Sequence, residues 1–232
     1  MKDNKSLVRA LLTSLFAVSL LWCLKSAEIL FHWDLSWMGV HPHELTGLIG
    51  IVTAPLVHGS LEHLFNNTLP LIIMGTVLAL GYPRALWRVL SLVWLVSGLG
   101  VWLFARHANH IGASGVAHGL FFFILLASMF RRDKSSVAIM LIVFLLYGGM
   151  TMTIFPREEH ISFEYHFFGA VAGVLAAILW RNLDPKPEIK PYAWELQPDD
   201  DPLIGDLWQD AEQPESDITR DKAPQSSDIK YH

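Results

Sequence analysis

The chain has 232 residues, of which 52% are hydrophobic and only 17% charged. A soluble domain carries about 25% charged residues, so this deficit points to a membrane protein and away from an ordinary soluble enzyme. The net charge of -5 is uneven: residues 191–232 hold eleven Asp/Glu against three Lys/Arg, so a weakly basic remainder carries an acidic tail. No nucleic-acid partner and no cofactor is expected. The single cysteine, Cys23, excludes an internal disulfide and argues against a cysteine metal site. It reads as a small buried hydrophobe.

A membrane helix needs about 20 mainly apolar residues. Six segments qualify in chain order: 7–24, 63–80, 85–104, 114–130, 136–155 and 163–180. The first has the basic start of a signal peptide, but no small-residue cleavage site follows, so it reads as a retained span. Residues 25–62 form a long outer connection, with an apolar run at 45–57 that is too short to cross and reads as re-entrant or interfacial. The chain thus divides into an N-terminal span (1–24), an outer loop (25–62), a helical bundle (63–182) and an acidic tail (183–232). The tail mixes prolines with acids and reads as disordered, with Trp194, Leu203, Ile204, Leu207 and Trp208 as possible docking points.

Basic residues fix an orientation. Lys2, Lys5, Arg9, Arg84, Arg88, Arg131, Arg132, Lys134, Arg181, Lys186 and Lys190 fall on one side, against Lys25, Arg106 and Arg157 on the other. The positive-inside rule places both termini in the cytoplasm, as six crossings require. In a bacterium this is a multi-pass inner-membrane protein.

Ionisable and polar groups within spans are costly and mark function. Here they cluster at one depth. His63 and Asn67 open the second span, Ser114 and His118 the fourth, and His166 the sixth, and these three helices all start on the outer side. His63 and Asn67 share a helix face by i,i+4 spacing, as do Ser114 and His118. Gly169 and Gly173 form a G-x-x-x-G pair behind His166, and Gly115 lies beside Ser114; such small residues let two helices approach closely. Ser114 within reach of the His166 ring is an activated nucleophile, with imidazole taking the hydroxyl proton. The sixth span offers no suitably placed carboxylate, since Glu164 lies on another face. The pair is then a dyad whose ring is held by His118 or by a backbone carbonyl. Backbone N–H groups at the helix start, with Asn67 and His63, are candidate oxyanion donors. His58 reads as a support of the outer loop.

The segments "HGSLEHLFNN" (58–67), "GASG" (112–115) and "HFFGAVAG" (166–173), in this order on six spans, resemble the rhomboid family of intramembrane serine proteases. The resemblance covers roughly residues 40–182. It implies an all-α, six-helix bundle with a water-filled cavity open to the outside. Ser114 would be nucleophile and His166 general base. His63, Asn67 and the Ser114 N–H would form the oxyanion hole, with Gly112, Gly115, His118, Gly169 and Gly173 in support. The substrate would be a transmembrane segment of a partner protein. Two departures stand out: His118 occupies a place where many members carry an aromatic residue, and the first-loop Trp-Arg pair is absent, since Trp87 and Arg88 lie in an inner connection. The competing readings are an inactive rhomboid-like binder of membrane helices and a metal or haem protein using the outer histidines.

Overall fold

A computed structural model describes residues 4–156 and 161–185. The fold is helical, and no strand occurs among the described residues. Its elements are α1 (Asn4–Phe31), a short α2 (Gly50–Thr53) within the outer loop, α3 (Leu61–Gly81), α4 (Leu86–Phe104), α5 (Ser114–Arg131), α6 (Lys134–Tyr147) and α7 (Phe163–Trp180). Counting the turn after α6, six of these helices are long and apolar enough to cross a membrane. Leu15, Phe16, Leu69, Leu99, Leu145 and Leu179 project outward from them. Such exposed apolar faces would be a liability in water but fit a lipid surround.

α5 is the central helix. Its apolar residues Val116, Ala117, Leu120, Phe121, Phe123, Ile124 and Ala127 are all buried. Around them gather Met74 and Leu78 of α3, Val89 and Val93 of α4, Val143 of α6, and Ala172, Ala176 and Ala177 of α7. α5 and α7 lie nearly backbone to backbone: a Cβ on Gly169 would strike the carbonyl of Gly115, and one on Gly173 that of Gly119. The expected G-x-x-x-G pair is thus matched by a second one, Gly115 and Gly119, on the facing helix.

Three boundaries differ from the sequence expectation. The first helix runs to Phe31 rather than residue 24, because Lys25 pairs with Glu28 at 3.0 Å on the next turn and the helix continues past both charges. The outer connection therefore begins near His32. The fifth span ends at Thr151 rather than residue 155, its α-helix giving way at Tyr147 because Gly148 and Gly149 favour a 3₁₀ turn over another helical one. Beyond this turn, Thr153 lies against His118 of α5 and His166 of α7. Finally, Asp184 is buried and accepts from the backbone N–H groups of Arg84 (2.9 Å) and Ala85 (3.1 Å), so the folded part extends beyond residue 182. Arg131 closes the same end by donating to the carbonyls of Gly81 and Pro185. Most of the acidic tail lies outside the described residues. Cys23 faces outward from α1 rather than into a core.

The apolar run of the outer loop forms short helical turns between Thr46 and Leu56. It packs along α4. Trp94, Gly98 and Trp102, spaced four apart on one face of α4, make the seat. Trp94 Nε1 donates to the Val52 carbonyl (3.0 Å), Trp102 Nε1 donates to the Glu44 carbonyl (2.8 Å), and Gly98 abuts the Ile51 backbone. Val40 and His110 exchange two backbone hydrogen bonds, which ties this loop to the segment leading into α5.

Candidate active site

The segment before α5 turns sharply at Gly112, whose φ of +110° favours glycine. A Cβ there would also run into the His63 ring. The Gly112 N–H is held by the Ala54 carbonyl of the outer loop at 2.9 Å, and the Ala113 N–H points to His58 Nε2 at 3.3 Å. Ser114 is the first residue of α5, and the first intrahelical bond of this turn is donated by Ala117 to Ala113. The backbone N–H groups at the very start of the helix are left for another acceptor.

α3 begins with Ser60 as its cap, accepting from the His63 N–H at 3.0 Å. This places His63 in the first turn, with its ring against Gly112 and edge-on to His58 at 5.1 Å between centroids. Asn67, one turn further in, is buried and donates one amide proton to the His63 carbonyl at 3.0 Å; a primary amide has a second. α7 is capped by Ser162, which accepts from the Tyr165 N–H at 3.2 Å. His166 follows in the same first turn, buried.

The Ser114 and His166 ends of the two helices meet through His118. The His118 ring lies flat on the His166 ring, with centroids 4.0 Å apart and planes 9° apart. Its Nδ1 is 2.7 Å from the Ser114 carbonyl oxygen. His166 Nδ1 donates to the backbone carbonyl of Thr153 at 3.0 Å. That bond leaves the Nε2 lone pair of a neutral His166 as the basic atom. The His166 ring thus has a carbonyl at its Nδ1 and the His118 ring stacked on its face.

Three further residues carry the arrangement and were not singled out from the sequence. Gly119 mirrors Gly173; its i,i+4 spacing from Gly115 was the available signal. Tyr165 is fully buried and lies against Gly115. Thr153 sits in "MTMTIF", a stretch with nothing to mark it.

Two of the outer histidines make structural hydrogen bonds. His43 Nε2 lies 2.9 Å from the Leu103 carbonyl, and His110 bridges the Arg106 carbonyl and Ser162 Oγ. Among the described residues no three His, Cys, Asp or Glu side chains gather as metal ligands. His160, also counted among the outer histidines, lies outside the described residues.

Burial first, then the neighbouring His63, pushes His58 down from 6.5 to about 4. An unfolded chain therefore takes up a proton between these values that the folded chain refuses. The His58 contribution is expected to be neutral above pH 6.5 and to cost stability increasingly as the pH drops towards 4, by about 3 kcal/mol across the window. His58→Gln retains an acceptor for Ala113 but cannot titrate. The loss of thermal stability between neutral pH and about pH 5 is expected to be smaller in that variant than in the wild type. An equal loss in both would show that His58 is not the group responsible.

A model of the Rhomboid domain matches residues 45–182, more than half of the chain. The chain belongs to the rhomboid family. Two uncharacterized proteins, from Mycobacterium tuberculosis and Mycobacterium bovis, are each 35% identical to this rhomboid over 177 residues, covering 72% of this chain and 73% of their own length. An uncharacterized protein from Mycobacterium leprae is 32% identical over 177 residues, covering 72% of this chain and 70% of its own length. The matched domain spans α2, the turn at Gly112 and α7. A rhomboid with six apolar helices is a multi-pass membrane protein.

Proposed function

We propose that this rhomboid is an intramembrane serine endopeptidase that cleaves transmembrane segments of partner proteins. The observation that carries this reading is the stacked His118–His166 pair, which bridges the start of α5 to a base whose Nδ1 is committed to a carbonyl. The Ser114 hydroxyl attacks the scissile carbonyl and its proton passes to His166 Nε2. The tetrahedral oxyanion is held by the Ser114 N–H, with Asn67 and His63 donating from α3. His166 then returns the proton to the leaving amine, and the acyl-serine remains. Water, deprotonated by the same nitrogen, hydrolyses that ester and restores Ser114.

The scissile segment must leave its helix to expose a carbonyl, so glycine and other weak helix formers near the cut lower the cost, by about 1 kcal/mol for glycine against alanine. A site in the first turn of three helices is close enough to the surface for water to enter. With both termini cytoplasmic, as the basic residues indicate, that surface is the outer one.

Covalent labelling by a fluorophosphonate in detergent tests the reading. Wild-type protein is expected to label, and Ser114→Ala and His166→Ala are expected not to, while each still melts cooperatively. A folded wild type that resists the probe would instead favour a rhomboid that binds membrane helices without cutting them.

A further inference from the structure

We propose that Thr153 is a positioning residue that holds both rings of the stacked pair, its hydroxyl fixing His118 and its carbonyl fixing His166. The inference rests on the reading of Ser114 and His166 as nucleophile and base, and it adds a residue to that machinery.

The argument is one of proton supply. His118 Nδ1 faces the Ser114 carbonyl oxygen at 2.7 Å. A carbonyl only accepts, so Nδ1 carries the ring proton in the neutral imidazole. His118 Nε2 is then a bare lone pair, deep in the protein, and it needs a donor. The Thr153 hydroxyl lies 2.8 Å from it. The same hydroxyl has an alternative acceptor in the Met150 carbonyl at 3.0 Å, but it owns one proton. Given to Met150, that proton leaves two lone pairs facing each other beside His118. Given to His118, it completes the ring and fixes its tautomer and tilt.

The second hold is the Thr153 carbonyl, 3.0 Å from His166 Nδ1. One residue therefore sets two parallel rings 4.0 Å apart. The break in α6 at Gly148 and Gly149 brings this residue back over the bundle; had the helix run on to residue 155, Thr153 would lie along its wall. The need for a hydroxyl here also follows from the histidine at 118. A phenylalanine at that position would stack on His166 with no lone pair to satisfy, and the residue at 153 would be free of that duty.

The full chain purified in detergent is assayed for labelling rate by the fluorophosphonate and for cleavage of a reporter transmembrane peptide. Thr153→Val keeps the shape and removes the donor. It is expected to lower kcat about tenfold with KM unchanged, because the base is misplaced while the substrate still binds. Thr153→Ser, which keeps the hydroxyl, is expected to stay within about twofold of the wild type. The deciding comparison is made in His118→Phe: adding Thr153→Val there is expected to change the rate by less than about twofold, since the partner atom is gone. A Thr153→Val variant that folds only in the His118→Phe background would support the same coupling.

Three results would overturn the proposal: wild-type kinetics in Thr153→Val, the same loss in both backgrounds, or a Thr153→Ser variant as slow as Thr153→Val. A folded wild type that neither labels nor cleaves would bring down the protease reading and this inference together. A reactive wild type with an indifferent Thr153 brings down this inference alone.

Discussion

Replacing Ser114 by alanine is expected to abolish peptide cleavage, with kcat falling on the order of a millionfold, and His166→Ala is expected to cost about as much. The informative variant is the double one. In the proposed mechanism the serine oxygen has no use without a base, and the base has no proton to take without the serine. The pair acts as a unit, so Ser114→Ala with His166→Ala should be no slower than either alone. What remains in all three is the contribution of substrate binding and the oxyanion donors on α3 and at the start of α5. Cleavage of a reporter transmembrane peptide, quantified over long incubations, supplies the numbers. Losses that multiply would show two independent contributions and would refute the dyad. Both side chains lie in the first turns of their helices, and a melting curve on each variant separates lost chemistry from lost fold.

The largest expected effect on stability lies at Gly169. Its Cα faces the Gly115 carbonyl with no room for a Cβ, and Gly173 repeats the arrangement against Gly119 one turn deeper. Gly169→Val would meet backbone, which cannot rotate away as a side chain can. α5 and α7 must move apart, and the packing around Ala172, Ala176 and Ala177 goes with them. Overpacking a close contact costs about 1–3 kcal/mol, and a backbone clash at the central helix should reach or exceed the upper end. Activity should fall with stability, because the same separation pulls the His166 ring from its stack on His118. Gly81→Ala is the control: nothing lies within 4 Å of the added carbon, and its melting temperature should match the wild type. Equal melting temperatures for Gly169→Val and Gly81→Ala would show that the close approach of α5 and α7 does not hold this fold.

Much of the architecture was legible in the chain. Composition and the lengths of the apolar runs give the six spans and the all-α class, because the bilayer demands internally bonded backbone and a fixed length of helix. "GASG", the H-x-x-x-N helix and the helix that begins "HFFGAVAG" identify the candidate residues, since polar groups within apolar spans carry their own signal. The ends of the spans were less legible. Lys25 looked like a loop residue because its partner Glu28 matters only once both sit on a helix. Gly148 and Gly149 looked tolerable within a run of apolar residues, yet they end the helix.

What only the tertiary structure decided is which groups touch. Local pattern shows that His118 shares a face with Ser114, but not that its ring lies flat on His166, which is 48 positions away in the chain. Nothing in "MTMTIF" marks Thr153. Its role follows from two nitrogen atoms, one on α5 and one on α7, that face it after α6 has broken. Hydrogen bonds between elements depend on position and direction within a few tenths of an ångström. Residue type and spacing along the chain determine which helices form and which faces they bury, whereas the packing of α5 against α7 determines which lone pair meets which proton.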